Sequence, residues 1–389
     1  MTEQNKIGFL DESVLVHWDG PDLPSLEGYL GIMAAVKASD LFLRAGSSPA
    51  FRVAGRVVRT EWPMPTTEDF AAYVDQILTP VARERFRESP DIDAAFVLPG
   101  IGRFRINLFM QQGSLALAAR HIPSGAVEFE RLGLPGSVIE MADARAGLIL
   151  VTGPTGSGKS TTLASMIHHI NQTREGHIIT IEDPIEFVHE EIRCLIHQRQ
   201  VGYDTESFSE ALRHVVRQSP DVILIGEMRD EQTIKTAMAA ALTGHLVLST
   251  LHTNSVVQSI ERILGYFPAT ARPQIQANLA ATLVGVASMR LLPRLDGRGS
   301  VAAVEVLRTT AKIRKNIADG NLAGIHESMA RALDAGMTTL TRSLVLLCQK
   351  KRISFEVGLA NAPNPDEFRL NMQGMFTGID SINLSDDGR

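Results

Sequence analysis

The run GPTGSGKSTT at residues 153 to 162 permits few folds. Its spacing is G-x-x-x-x-G-K-[ST]: Gly153, then Pro154, Thr155, Gly156 and Ser157, then Gly158, Lys159 and Ser160, with Thr161 following. The apolar run GLILVT precedes it and LASMIHHI follows, so the pattern predicts a strand, a glycine loop and a helix, the setting of a phosphate-binding loop. Glycines let backbone N–H groups close on phosphate oxygens with no Cβ in the way, and the helix begins with unpaired N–H groups and a partial positive charge. Lys159 would reach the β- and γ-phosphates and the Ser160 hydroxyl would ligate magnesium, so Gly153 to Thr161 read as an ATP-binding segment with Mg2+ as its companion.

The strand and helix of this motif recur downstream. HIITIED, DVILIGE and HLVLSTL are short, apolar and rich in β-branched residues, and they alternate with helical stretches. That alternation predicts an α/β fold with a parallel sheet covered on both faces. In SFSEALRHVV, Phe208, Ala211, Leu212, Val215 and Val216 share one helical face, so this helix is expected to pack on the sheet. We place the ATPase domain at 141–300, a mainly helical region at 301–372 and a polar, disordered end at 373–389.

Upstream the pattern differs. Residues 1–20 read as a loose tail. Leu26, Tyr29, Leu30, Met33 and Val36 mark an amphipathic helix, and DLFLRAGSSPAFRVAGRVV reads as a hairpin turning at Gly-Ser-Ser-Pro. Helices around TEDFAAYVDQILT and PVARERFRES follow, then two strands in GRFRINLFMQQGSLALAARHIP. This predicts a compact α+β domain over 21–125, joined by an interdomain linker at 126–140 whose Gly and Pro residues flank little periodicity.

The formal charge of −6 and the lack of a basic, aromatic-interleaved stretch argue against a nucleic-acid remodeller. Cys194 and Cys348 lie far apart without C-x-x-C spacing, which suits a reducing compartment and speaks against structural zinc. With neither a signal peptide nor an apolar span in view, the expected location is the cytoplasm.

A phosphate cradle only binds; hydrolysis needs a metal partner, a group that orients water and cationic stabilisation of the transferring phosphoryl group. DVILIGEMRD ends an apolar strand in Glu227, where a magnesium-linked carboxylate of the Walker B kind belongs. TIEDPIEF places Glu182, Asp183 and Glu186 at another strand end; Glu186 is expected to polarise the attacking water, with Glu182 as the alternate. TGHLVLSTLH sets His245 and His252 seven residues apart around a strand, as γ-phosphate sensors, intersubunit contacts or hydrogen-bonded structural residues.

Taken in order, GPTGSGKST, TIEDPIEF, SPDVILIGEMRD and TGHLVLSTLHTNS resemble the Walker A, Asp box, Walker B and His box of the secretion ATPase superfamily, and within it the type IV pilus retraction motors of the PilT/PilU group. The likeness runs from about Ser25 to Gly374 and includes ASDLFLRAG, GIGRFRINLFMQQG, QRQVGYDT and NPDEF. It implies a PAS-like N-terminal domain and a RecA-like C-terminal domain in a homo-hexameric ring, with ATP between the domains and closure of the cleft driving retraction. It also implies that Arg103, Arg105 and Arg120 reach the nucleotide phosphates. The implied partners are an inner-membrane pilus platform protein, at whose cytoplasmic face the ring works, and a paralogous retraction ATPase. Phe42 stands where most PilT-like members carry His, as in PilU-type accessory motors, and AKIRKNIADG is a divergent form of the AIRNLI-like signature. An ATP-binding accessory subunit is one alternative. Pilus assembly or type II secretion ATPases are another, though these typically have a longer N-terminal region and a four-cysteine metal insert.

Overall fold

The computed structural model describes residues 24–122, 125, 128–332 and 335–374. The tail read at 1–20 and residues 375–389 of the polar end lie outside them. The chain divides into two compact units, Met1–Ser124 and Gly125–Arg389.

In the first unit α1 (Leu26–Ala35) leads to β1 (Asp40–Arg44), β2 (Ser47–Val53) and β3 (Arg56–Arg59). Two helices follow, α2 (Thr67–Ile77) and α3 (Pro80–Glu88), then β4 (Asp91–Leu98), β5 (Gly102–Gln111) and β6 (Ser114–Ile122). The strands make one antiparallel sheet in the order β3-β2-β1-β6-β5-β4. Helix α2 starts at a capping box between Thr66 and Asp69. Leu26, Tyr29, Leu30 and Met33 of α1 and Phe70 of α2 share an apolar core with the alternate positions Phe104, Ile106 and Leu108 of β5. Burial of such side chains contributes about 1.5–3 kcal/mol each.

The hairpin reading is corrected here to three strands, turning at Ala45-Gly46 and Ala54-Gly55. Ser47, Ser48 and Pro49 lie inside β2 rather than in a turn. Between the pairs Phe42↔Ala50 and Arg44↔Ser47 the register shifts, so a bulge takes Pro49, which has no N–H, out of the ladder with β1.

The second unit opens with α4 (Phe129–Leu132) and α5 (Gly136–Glu140), followed by β7 (Gly147–Thr152), α6 (Lys159–Thr173), β8 (Gly176–Glu182) and β9 (Cys194–Gln200). Then come α7 (Phe208–Val215), β10 (Val222–Ile225), α8 (Glu231–Leu242), β11 (Leu246–Leu251), α9 (Val256–Gly265), α10 (Arg272–Thr282), β12 (Leu283–Pro293) and β13 (Ser300–Arg308). The seven strands lie in the order β13-β12-β7-β11-β10-β8-β9, parallel throughout except at β12 and β13. Leu148, Leu150, Ile179 and Ile181 face α7, α8 and α9, while Ile149, Val151 and Ile178 face α6. With both faces covered, the central strands are apolar runs.

Five helices close the unit: α11 (Ala311–Ala318), α12 (Leu322–Arg331), α13 (Leu340–Gln349), α14 (Phe355–Asn361) and α15 (Pro365–Met372). The helical region thus begins after β13, not at residue 301. The segment read as a linker holds α4 and α5, and its Phe129 and Val138 are buried beside Ile149 and Val151, so its described part packs as core. Among the described residues no helix is long and apolar enough to cross a membrane.

Candidate active site

Strands β7, β8, β10 and β11 run parallel and end at one edge of the sheet, where ligands bind in open α/β folds. Past β7, a Cβ on Gly153 (φ 147°) would stand 2.3 Å from the Met289 carbonyl oxygen and 2.6 Å from Ser157 Oγ. The close approach of β12 therefore demands glycine. Helix α6 starts at Gly158 without a side-chain cap, whereas Ser207, Asp230 and Ser255 cap α7, α8 and α9. Its first N–H groups are left for an anion. The Ser157 hydroxyl, 2% exposed, has no hydrogen-bond partner among the described residues.

Lys159 Nζ donates to the carbonyl oxygens of Gly153 and Pro154, both at 3.0 Å. Burial pulls its ammonium below the ordinary lysine value, and the Glu186 and Glu227 carboxylates oppose that shift. A cleft of about 480 Å³ is lined by the loop from Thr155 to Thr161 and by Glu182, Asp183, Glu186, Glu227, Arg229, Thr250 and His252. Phe187, His189, Phe208 and Leu291 complete its apolar and aromatic wall.

Glu227, 9% exposed, is ion-paired to Arg229, and its Oε2 lies 3.6 Å from His252 Nε2. Burial holds the His252 imidazole below the ordinary histidine value; Lys159 and Arg229 push the same way and Glu227 against. Burial there favours the uncharged ring. The acids of TIEDPIEF differ in their commitments. Glu182 accepts from Thr180 Oγ1 at 2.6 Å and Gln198 Nε2 at 3.2 Å; burial raises its carboxyl above the usual range and those hydrogen bonds restrain the rise. Glu186 is exposed and lines the same cleft.

Ser160 and Glu227 also share the cleft, and no group of three or more His, Cys, Asp or Glu side chains among the described residues could hold a metal alone. One hydroxyl and one carboxylate fit a magnesium ion that takes the rest of its shell from phosphate oxygens and water.

His245 is not brought to this cleft. It precedes β11, at the opposite end of a six-residue strand from His252, and its Nδ1–H donates to the Ala240 carbonyl at 3.0 Å. At ~3.3 Å per residue the two histidines stand about 23 Å apart along the chain. Arg103, Arg105 and Arg120 belong to the first unit. Arg103 and Arg105 share a face of β5, with Phe104 buried between them, and Arg105 stands opposite Arg120 in the register. Like charges placed so repel. Asp93 relieves Arg105 at 3.2 Å and Asp40 relieves Arg120 at 2.8 Å. Arg229, Thr250 and His189 escaped the sequence reading; the signal for Arg229 was a cation two residues past the strand-end acid in GEMRD.

Residues 126–346 match the family model described as "Type II/IV secretion system protein". The chain is similar to the type IV pilus retraction ATPase PilT of Pseudomonas aeruginosa, 42% identical over 339 residues that cover 87% of this chain and 98% of that one. Similarity to the type IV pilus ATPase PilU of the same organism is 38% identity, covering 88% and 90%. Among solved structures, the pilus retraction motor PilT with bound ADP superposes with a TM-score of 0.82 at 40% identity, covering 89% of this chain and 99% of that one.

Proposed function

The chain belongs to the type II/IV secretion system protein family, and from that premise we propose that it hydrolyses ATP to power type IV pilus retraction. The observation that carries this reading is one cleft in which the phosphate loop, Glu227, Glu186 and His252 meet. When ATP arrives, Lys159 exchanges the Gly153 and Pro154 carbonyls for phosphate oxygens, replacing neutral acceptors by charged ones, which bond roughly twice as strongly. Ser160 and Glu227 hold a magnesium ion, which when bound neutralises charge on the phosphate oxygens. Glu186 orients the attacking water, because the Glu182 carboxylate is already engaged by Thr180 and Gln198. His252, beside Glu227 at the mouth of the same cleft, reads the γ-phosphate. Arg103, Arg105 and Arg120 are assigned as cationic partners of the transferring phosphate on the family resemblance alone. A homo-hexamer acting on an inner-membrane platform protein from the cytoplasmic side is part of the same proposal.

Steady-state ATP hydrolysis across a range of protein concentrations tests it. Turnover per subunit that climbs with concentration supports sites completed on assembly. ATP bound without turnover at any concentration refutes the motor and favours an accessory subunit of another retraction ATPase.

A further inference from the structure

Behind the cleft lies a buried line of hydroxyls that none of these roles uses. Thr152 ends β7, immediately before Gly153, and stands opposite Leu251 of β11 in the register; the Gly153 N–H then donates to the Leu251 carbonyl at 3.3 Å. The phosphate loop and the His252 segment thus leave the sheet side by side. Ser259, one turn into α9, faces both exits. Its Oγ lies 3.2 Å from Thr152 Oγ1, 2.7 Å from Thr253 Oγ1 and 2.7 Å from the Ser255 carbonyl oxygen. Thr152 and Ser259 are fully buried and Thr253 is 8% exposed.

A serine hydroxyl has one proton and two lone pairs, so three contacts saturate it. The Ser259 proton is directed at two acceptors, the Ser255 carbonyl oxygen and Thr152 Oγ1, which leaves Thr253 as the hydroxyl that donates to the Ser259 oxygen. Helix α9 is itself pinned: Glu305 of β13, 4% exposed, accepts the Val256 N–H at 2.8 Å. On the other side Thr250 Oγ1 donates to the Gly226 carbonyl at 2.6 Å, which ties the same segment to the strand end that carries Glu227. Away from water, a hydroxyl that loses its partner finds no substitute, so the loop and the His252 segment keep one mutual arrangement or give up a bond.

We propose that Thr253 and Ser259 are positioning residues of the ATPase site: their hydroxyl relay to Thr152 holds the His252 segment in register with the phosphate loop, so that a nucleotide which orders the loop also orders the histidine. The inference rests on the ATPase reading for its consequence in turnover, but the relay can be measured without turnover.

Thr253→Val removes the hydroxyl at nearly constant volume, and Thr253→Ser keeps it while removing a methyl group. Hydrogen exchange of the full-length protein is followed with and without a non-hydrolysable ATP analogue, alongside kcat and KM for ATP. In the parent and in Thr253→Ser, the analogue should slow exchange both in the phosphate loop and in residues 252–258. In Thr253→Val only the loop should slow, with kcat down about tenfold and KM within about twofold. Coupled slowing that survives in Thr253→Val overturns the proposal, as does its absence in the parent, or a Thr253→Ser variant impaired as much as Thr253→Val, which would mark packing. If Thr253→Val does not fold, Thr152→Val and Thr152→Ser decide on the same readouts. A parent that binds the analogue and couples the two segments but never hydrolyses ATP sinks the ATPase reading and leaves the relay standing; a parent that does not bind the analogue sinks both.

Discussion

Replacing Gly153 with alanine probes the phosphate loop as geometry rather than charge. The new Cβ would lie 2.3 Å from the Met289 carbonyl oxygen and 2.6 Å from Ser157 Oγ. Carbon–oxygen contacts settle at roughly 3.3 Å, so the loop or β12 must move by about 1 Å. Gly153 also has a φ of 147°, which side-chain-bearing residues rarely adopt. Backbone strain of that kind costs about 1–3 kcal/mol and overpacking about 1–3 kcal/mol more, giving a loss of roughly 2–6 kcal/mol. Gly156 supplies the control: its φ is 76°, but nothing lies within 4 Å of a Cβ there. Gly156→Ala should therefore cost only the left-handed backbone term, about 1–2 kcal/mol. At roughly 2–4 °C per kcal/mol, the two variants should melt about 10 °C and a few degrees below the parent. A 1 Å displacement of phosphate-binding N–H groups should weaken a fluorescent ATP analogue by about a hundredfold in Gly153→Ala. Thermal melts and equilibrium titrations read both quantities. If Gly153→Ala binds like the parent and melts no lower than Gly156→Ala, the close packing of β12 on the loop is not a constraint and the reasoning fails.

Lys159→Ala should weaken ATP binding by at least about a hundredfold in the same titration, since two or more charge-assisted phosphate bonds are lost; unchanged affinity would remove Lys159 from the phosphate contacts. Glu186→Gln should bind ATP normally and lose turnover in a phosphate-release assay, whereas full activity there, with loss in Glu182→Gln, would move the water-orienting role to Glu182. Glu305 gives a pH signature. Burial raises its folded-state pKa, so between the ordinary glutamate range and that raised value the native state binds more protons than the unfolded chain, and stability falls as pH rises through this window. Glu305→Gln still accepts from Val256 and should flatten that fall in urea titrations run at stepwise pH; parallel curves for parent and variant would show that the burial cost is met elsewhere.

What the sequence disclosed and what it withheld follow from the range over which each signal acts. The phosphate loop and the strands at GLILVT, HIITIED, DVILIGE and HLVLSTL are local statements, and the structure has strands at Gly147–Thr152, Gly176–Glu182, Val222–Ile225 and Leu246–Leu251. Strand β13 was hidden because VAAVEVLR, buried on both faces, has no alternation, and its Ala, Glu and Leu suit a helix equally well. Strand β9 was hidden for the opposite reason: CLIHQRQ is polar, as an edge strand can be. Pro49 misled because a proline inside a strand is tolerated only where a bulge breaks the ladder, and a bulge is a property of two strands.

The two histidines sharpen the point. Seven residues apart, they invited a common role, yet the strand between them carries His245 to the far end of the sheet and leaves His252 at the cleft. Strand periodicity tells which face a residue occupies; the end it occupies depends on where the strand starts and stops. At the other extreme, the hydroxyls of Thr152 and Ser259 meet across 107 residues of chain. Neither a Thr at a strand end nor a Ser in the first turns of a helix announces itself, because each is ordinary in its own neighbourhood. Their significance comes from the strand order, which sets β11 beside β7 and so lays α9 behind both exits. Groups that touch phosphate must have particular chemistry and are legible one motif at a time. Groups that hold those motifs in register need only be buried and mutually satisfied, so they emerge when the sheet is assembled.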